Sequence, residues 1–315
     1  MLNDLQFAFY ITAPIFCILA LGILFKRWGW LNDAFAKSGS DLVFKVTLPC
    51  LLFVKLVKTD FRHDLPLTLV GYATLATIAL FFILDRFATP LLTQKEQRGV
   101  FVQGAFRGNM GIIGLAYCLS AFGDAVIAAA SIYLAVMTTL YNVLAVLTLS
   151  RHRLTQLDEQ RKLSLLVDIG KNPLILSIAL GVVVSLSGIA VPALVLTTGN
   201  YLAQMTLPLA LLCAGASIRM QEFSASPPLY WATVIKLVVA PALLTCGGVL
   251  IGLRGPELGV LYLMSSTPTA AASYPMTLAL GGSQHLAAAI IAATALGSLF
   301  STTCGIFILR SYGFI

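Results

Sequence analysis

The chain carries one pattern twice, at an offset of 159 residues. Pro14 matches Pro173, and the tripeptide Thr-Leu-Pro at 47–49 matches the same tripeptide at 206–208. Proline and glycine serve backbone geometry more than hydrophobicity, so their recurrence in a single register is not explained by an apolar composition alone. The sequence therefore predicts an internal duplication, and the fold must be built from two copies of one unit.

The composition indicates that this unit lies in a membrane. Hydrophobic residues make up 58% of the chain and charged residues 10%, against about 45–50% and about 25% in soluble domains. Apolar stretches long enough to cross a bilayer as helices recur throughout. We predict an all-α polytopic membrane protein with ten transmembrane helices, at 7–25, 34–56, 66–87, 98–120, 125–149, 172–190, 192–218, 229–252, 256–280 and 285–309.

Five spans in each copy is an odd number, so the second copy must be inverted relative to the first. We therefore expect a first five-helix repeat at 1–149, a cytoplasmic linker at 150–171 and a second, inverted five-helix repeat at 172–315. Two inverted repeats are typical of secondary transporters that work by alternating access.

Positive charges predict the orientation. Of the 20 Lys and Arg residues, Lys45, Arg107 and Lys236 fall well inside predicted spans, and 12 of the other 17 lie on the side of the linker. Cytoplasmic loops carry the excess of Lys and Arg, so we expect a multi-pass protein of the cell (inner) membrane with both termini outside. The net charge of +7 is then explained by topology and contact with anionic lipid, rather than by nucleic-acid binding.

Two spans contain sequences that disfavour a continuous helix. The fourth span holds GAFRGNMGIIG at 104–114, and the ninth holds SSTPTAAASYP at 265–275. The repeat offset pairs Asn109 with Pro268. Paired interruptions in the two halves are the best sequence indication of a transporter's binding site. We therefore predict that helices 4 and 9 are broken and cross at mid-membrane.

A broken helix exposes N–H groups at one end and carbonyl groups at the other. The N-terminal ends of two half-helices that meet in the membrane would suit a carboxylate. An alternative is that Gly104 and Gly108 only allow close helix packing. That alternative does not explain the matched Pro268.

Several motifs together resemble the auxin efflux carrier family, over essentially the whole chain. They are Gly-Asn at 108–109 through Phe-Gly at 122–123, Asn-Pro at 172–173, LPLALL at 207–212, GAS at 215–217 and IGLRG at 251–255 leading to Pro268. The family includes plant auxin exporters and prokaryotic malonate and malate permeases. The resemblance implies a scaffold domain and a transport domain, each assembled from both repeats, with the substrate carboxylate received where helices 4 and 9 break.

The resemblance also implies roles for individual residues. Asn109 matches the substrate-contacting asparagine of helix 4, and Pro268 matches the crossover proline of helix 9. Where many members have a proline after that asparagine, this chain has Gly-Leu-Ala at 114–116. The full set of candidate substrate-binding residues is Asn109, Pro268, Arg107, Gly108, Met110, Gly111, Thr267, Thr269 and Lys236.

The cations Arg107 and Lys236, inside predicted spans, have two interpretations. They supply positive potential to an anion cavity, or they are neutralised by carboxylates or helix carbonyls as part of the fold. All 13 acidic residues fall at or near predicted span ends, so proton coupling through an intramembrane aspartate is not supported. A sodium site lined by carbonyls stays open. The three histidines are expected at the surface.

These observations favour a secondary transporter of small organic anions, such as the mono- or dicarboxylates malonate and malate. A sodium-coupled organic-acid symporter of the bile-acid-symporter type, a channel and a non-transporting receptor are the alternatives. The sequence contains no HExxH or GxSxG motif and no Cys/His metal spacing, so we expect neither an enzyme, nor a cofactor, nor a metal site. The coupling ion, H⁺ or Na⁺, is not indicated, and a homodimer is a further hypothesis.

Overall fold

A computed structural model describes residues 2–58, 66–152, 173–217 and 226–315 of the chain. These residues are almost entirely helical and form no strand in the described ranges. The α-helices are α1 Leu2–Arg27, α2 Asp33–Leu42, α3 Leu48–Val57, α4 Leu67–Leu91, α5 Lys95–Phe106, α6 Leu115–Phe122, α7 Ile127–Arg151, α8 Pro173–Ser187, α9 Ala193–Ser217, α10 Pro227–Val234, α11 Ala240–Leu250, α12 Gly255–Ser265, α13 Ser273–Leu280 and α14 Gln284–Ser311. The all-α prediction is confirmed for these residues.

Wider π-helical turns interrupt three of the helical runs in the described ranges. They lie at Val43–Thr47 between α2 and α3, at Met110–Gly114 before α6, and at Ile235–Val239 between α10 and α11. Such turns are frequently found at functional sites. Two of the three turns contain candidate substrate-binding residues: Met110 opens the second turn, and Lys236 lies in the third.

Five helical segments of the described chain are long and apolar enough to cross a membrane: Asp4–Arg27, Leu67–Leu91, Met110–Arg151, Pro227–Leu250 and Gln284–Ser311. A shorter apolar helix spans Pro173–Ser187. These segments agree with a multi-pass membrane protein, and the count of ten spans stays a prediction. The linker predicted at 150–171 lies outside the described residues beyond His152.

The helices pack as two sets. Helices α1, α2, α3, α8 and α9 contact one another, chiefly through α1 on α9 and α3 on α8. The other set contains α4 to α7 and α10 to α14, where α5 contacts α4, α7, α10 and α14. The two sets meet where α1 packs on α14 and α6 and where α3 packs on α7. Both broken spans therefore belong to the second set.

Two close helix contacts lie at positions related by the repeat offset. A side chain at Gly22 would collide with the backbone near Gly215, because a Cβ added to Gly22 would lie 3.1 Å from the Cα of Gly215. A side chain at Gly181, 159 residues beyond Gly22, would lie 2.9 Å from the Cβ of Leu56. Gly215 is likewise 159 residues beyond Leu56. The matched glycines thus make matched contacts, one between α1 and α9 and one between α8 and α3.

A buried carboxylate ties the end of α4 to the end of α7. Asp85 is 2% exposed and accepts a hydrogen bond from Thr148 Oγ1 at 2.8 Å. Its other oxygen lies 2.5 Å from Arg151 Nη1, and His152 Nε2 lies 2.9 Å from Oδ1. The expectation of a surface position is therefore wrong for His152, which is buried by this contact. His285 is exposed, and His63 lies outside the described residues.

Candidate functional site

The helix of the predicted fourth span breaks between Phe106 and Met110. Arg107 has an extended backbone, with φ −81° and ψ 108°, although its N–H still donates to the Gln103 carbonyl as the last bond of α5. Asn109 is also non-helical, with φ −83° and ψ 64°, and its carbonyl accepts from the N–H of Ile113 and of Gly114. The chain therefore leaves one helix and starts another within three residues, without a proline at this point.

The ninth span breaks over a longer stretch. Helix α12 ends at Ser265, and α13 begins at Ser273. Thr269 fastens the intervening segment, because its N–H donates to Thr294 Oγ1 at 3.0 Å and its own hydroxyl donates to the Gly104 carbonyl at 2.7 Å. Irregular backbone at membrane depth is tolerated only where protein or an aqueous cavity satisfies its polar groups. Both of these hydrogen bonds do so.

The two breaks cross and form an antiparallel β-bridge between Gly108 and Thr269. The Asn109 N–H donates to the Pro268 carbonyl at 2.8 Å, and the Ala270 N–H donates to the Arg107 carbonyl at 3.1 Å. This is the pattern of a non-hydrogen-bonded pair, in which the neighbours on either side make the bonds. Pro268 fits because the bridge uses only its carbonyl oxygen.

Glycine is required at position 108 because the two chains approach closely. A Cβ on Gly108 would overlap Thr267 Oγ1 and would lie 3.3 Å from Lys236 Nζ. Thr267 is fully buried, and its hydroxyl donates to the Met264 carbonyl at 2.9 Å. The residues behind the crossover are therefore packed against its backbone and leave no space for a side chain.

Two cavities flank the crossover. The larger, of about 580 Å³, is lined by Asn109, Pro268 and Thr269 together with residues of α1, α2, α9, α13 and α14. The smaller, of about 80 Å³, is lined by residues 107–112, residues 270–272 and parts of α7 and α8. Asn109 and Ala271 line both cavities. The side chain of Asn109 makes no hydrogen bond to any residue in the described ranges, so its amide is free to bind a ligand from the cavity.

Two buried cations lie beside the crossover. Arg107 is 6% exposed, and its guanidinium donates to Asn142 Oδ1 at 2.6 Å and also contacts the sulfur of Met276. Lys236 is 1% exposed, and its ammonium donates to the Ser265 carbonyl at 2.8 Å. Neither cation forms an ion pair with a carboxylate among the described residues. No carboxylate of the described residues therefore neutralises either side chain next to the break.

The structure gathers all nine predicted site residues around the crossover, but not in equal positions. Asn109, Pro268 and Thr269 line the larger cavity; Arg107, Gly108, Asn109, Met110 and Gly111 line the smaller one. Thr267 and Lys236 line neither cavity and lie behind Gly108.

Sequence reasoning missed Ala271 and Asn142. The repeat offset gave no signal for them. Ala271 is an ordinary small residue, and Asn142 enters only as the tertiary partner of Arg107.

Comparison with known proteins assigns the family. A family model described as "Membrane transport protein" matches residues 7–306. The chain belongs to this family. It is the auxin efflux carrier family that the sequence motifs resemble, so that prediction is confirmed.

The relatives of this membrane transport protein are transporters. It is 25% identical over 313 residues to "Uncharacterized transporter MJ1031" of Methanocaldococcus jannaschii, covering 96% of each chain. It is 26% identical over 316 residues to "Putative malonate transporter" of Rhizobium meliloti (strain 1021), covering 96% of this chain and 95% of the relative. A third relative, "Uncharacterized transporter YfdV" of Escherichia coli (strain K12), is 22% identical over 263 residues, covering 82% of this chain and 83% of the relative. The family and its relatives are transporters, not enzymes, which confirms that prediction as well.

Proposed function

We propose that this protein carries small organic anions across the membrane, with mono- and dicarboxylates such as malonate or malate as the substrate class. One observation carries the proposal. The unpaired amide of Asn109 lines both cavities at a crossover of two broken helices, with Arg107 and Lys236 buried beside it without carboxylate partners. A carboxylate bound there gains hydrogen-bond donors and a positive potential. The name of the Rhizobium relative supports malonate as the first substrate to test.

We further propose alternating access between the two helix sets. The set α1, α2, α3, α8 and α9 is the scaffold, and the set with the crossover is the transport domain. The matched Gly22 and Gly181 contacts support two repeats at 1–149 and 172–315, joined by the linker at 150–171. The proposal also includes ten spans in an inverted arrangement, with both termini outside and the linker in the cytoplasm. This part of the proposal rests on the predicted span count and on the distribution of positive charges.

Uptake of radiolabelled malonate into proteoliposomes tests the proposal. We expect saturable uptake by the wild type and at least a tenfold loss in Asn109→Ala, because the backbone bond to Pro268 is retained and only the ligand-facing amide is removed. Both proteins must reconstitute equally and show the same thermal unfolding in detergent. Normal uptake by Asn109→Ala would remove Asn109 from the site.

The same vesicles separate the alternatives. Uptake that requires a sodium gradient favours the sodium-coupled symporter, and uptake driven by a pH gradient favours proton coupling. Malonate that raises the melting temperature without flux favours a receptor, since binding to the native state alone stabilises it. Flux that does not saturate favours a channel.

A further inference from the structure

One wall of the larger cavity is a charged face of α2. Asp33, Ala36, Lys37 and Ser40 line the cavity from this helix. These positions are three, four and seven residues apart, which places them on a single helix face. Two of the four are charged, so the electrostatic effect of this wall depends on whether those two charges are balanced.

Asp33 is balanced within the protein, whereas Lys37 is not. Lys26 Nζ lies 2.6 Å from Asp33 Oδ1. Lys37 is exposed and makes neither an ion pair nor a hydrogen bond with any residue in the described ranges. The α2 wall therefore faces the cavity with one positive charge that the described part of the chain does not neutralise.

Lys37 lies some distance from the crossover along the cavity. Seven residues later, the π turn after α2 brings Phe44 to the smaller cavity, which Asn109 also lines. Seven residues of helix correspond to about 10 Å. Helical side chains lean toward the N-terminus of their helix, which carries the Lys37 ammonium farther from Asn109. Lys37 therefore acts on an anion held at Asn109 through its electric field across the cavity and not by direct contact.

We propose that Lys37 is a specificity-determining residue that makes this cavity prefer dianions, such as dicarboxylates, over monoanions. This inference rests on the proposed anion transport. A positive charge at the cavity wall attracts a dianion twice as strongly as a monoanion at the same distance.

The test compares malonate with the monocarboxylate propionate at neutral pH, in proteoliposomes containing wild type, Lys37→Gln or Lys37→Arg. We expect Lys37→Gln to raise the KM for malonate about three- to fourfold and the KM for propionate about twofold or less, with little change in maximal rate. Lys37→Arg keeps the positive charge, so its KM for malonate should stay close to that of the wild type. The effect of Lys37→Gln should shrink as salt is added, because salt screens exposed charges.

Lys45→Gln is the matched control. Lys45 follows Lys37 by eight residues, is exposed, pairs with Asp41 at 3.5 Å and lines neither cavity. Its substitution should leave both KM values unchanged. Equal changes for malonate and propionate in Lys37→Gln, or no change in either, would overturn the proposal. Asn109→Ala, measured in parallel, separates the Lys37 inference from the proposed site. If Asn109→Ala abolishes uptake while Lys37→Gln keeps the wild-type ratio of the two KM values, only the Lys37 inference fails. If Asn109→Ala transports normally, the proposed site fails and the Lys37 inference fails with it.

Discussion

The Asn109 N–H donates to the Pro268 carbonyl at 2.8 Å, so the two residues that the repeat offset pairs in sequence are also bonded in space. The bond belongs to the backbone and does not depend on the side chain of Asn109. The side-chain amide of Asn109, in contrast, has no hydrogen-bond partner among the described residues. The crossover and the proposed ligand-binding group are therefore separable by mutation.

Asn109→Asp tests the charge of the site with almost no change of shape. The substitution places a carboxylate where an anion is to bind, so we expect at least a hundredfold loss of malonate uptake, against about tenfold or more for Asn109→Ala. Two carboxylates within about 4 Å repel each other by several kcal/mol at an effective dielectric constant near 20. Thermal unfolding in detergent should be close to that of the wild type. Uptake that is equal in the Asp and Ala variants would show that charge at this position does not matter.

Gly108→Ala tests the close approach at the crossover. The added Cβ would overlap Thr267 Oγ1, so we expect a destabilisation of about 1–3 kcal/mol from overpacking and loss of transport. Gly71→Ala is the control, because no atom lies within 4 Å of the Cβ position of Gly71 in α4. It should be neutral or stabilising by up to about 1 kcal/mol, since alanine favours helix. Equal unfolding temperatures for the two variants would contradict the packing described here.

Lys236→Met separates the two interpretations of the buried ammonium. If Lys236 supplies positive potential, the variant should bind malonate about tenfold more weakly or worse, since a nearby unit charge contributes about 2 kcal/mol at an effective dielectric constant near 20. Its stability should be unchanged or higher, because a cation at membrane depth costs about 2.5–3.5 kcal/mol. A less stable variant with a wild-type KM would instead assign Lys236 to the fold, through its bond to the Ser265 carbonyl.

Asp85→Ala tests the buried cluster between α4 and α7. Removing the carboxylate leaves His152 and Thr148 buried without their acceptor, which should cost about 3 kcal/mol of stability. Asp41→Ala is the matched control, because the Asp41 carboxylate is exposed and its pairing with Lys45 is worth about 0.5 kcal/mol or less. The measurement is denaturant unfolding in detergent. Equal midpoints for both variants would show that the Asp85 contacts do not stabilise the protein.

Features carried by backbone chemistry could be predicted from the sequence, whereas features carried by tertiary contacts could not. Glycine and proline at equivalent positions predicted breaks in the fourth and ninth spans, and both breaks are present. The fourth breaks without a proline because the bridge to Pro268 satisfies backbone groups that a helix would otherwise bond. A single chain cannot show that contact in advance.

Charged residues show the same difference between what the sequence predicts and what only tertiary contacts reveal. The sequence selected Arg107 and Lys236 because a cation inside an apolar span is conspicuous. It gave no weight to Lys37, which reads as an ordinary residue at a helix start until the cavity and the Lys26–Asp33 pair are seen. His152 looked like a surface residue for the same reason, since only the fold brings Asp85 within 2.9 Å of it.

The bridge between the broken helices cannot grow in either direction. Pro268 has no N–H to return a bond to Asn109, and the Arg107 N–H is already used by the Gln103 carbonyl. The backbones of the two segments are therefore joined by a single rung of two hydrogen bonds instead of a ribbon. The hydroxyl of Thr269 adds a bond to the Gly104 carbonyl, and Thr267 packs against Gly108. The crossover therefore fixes where the two chains meet, while the directions of the half-helices are set by the helices that pack on them.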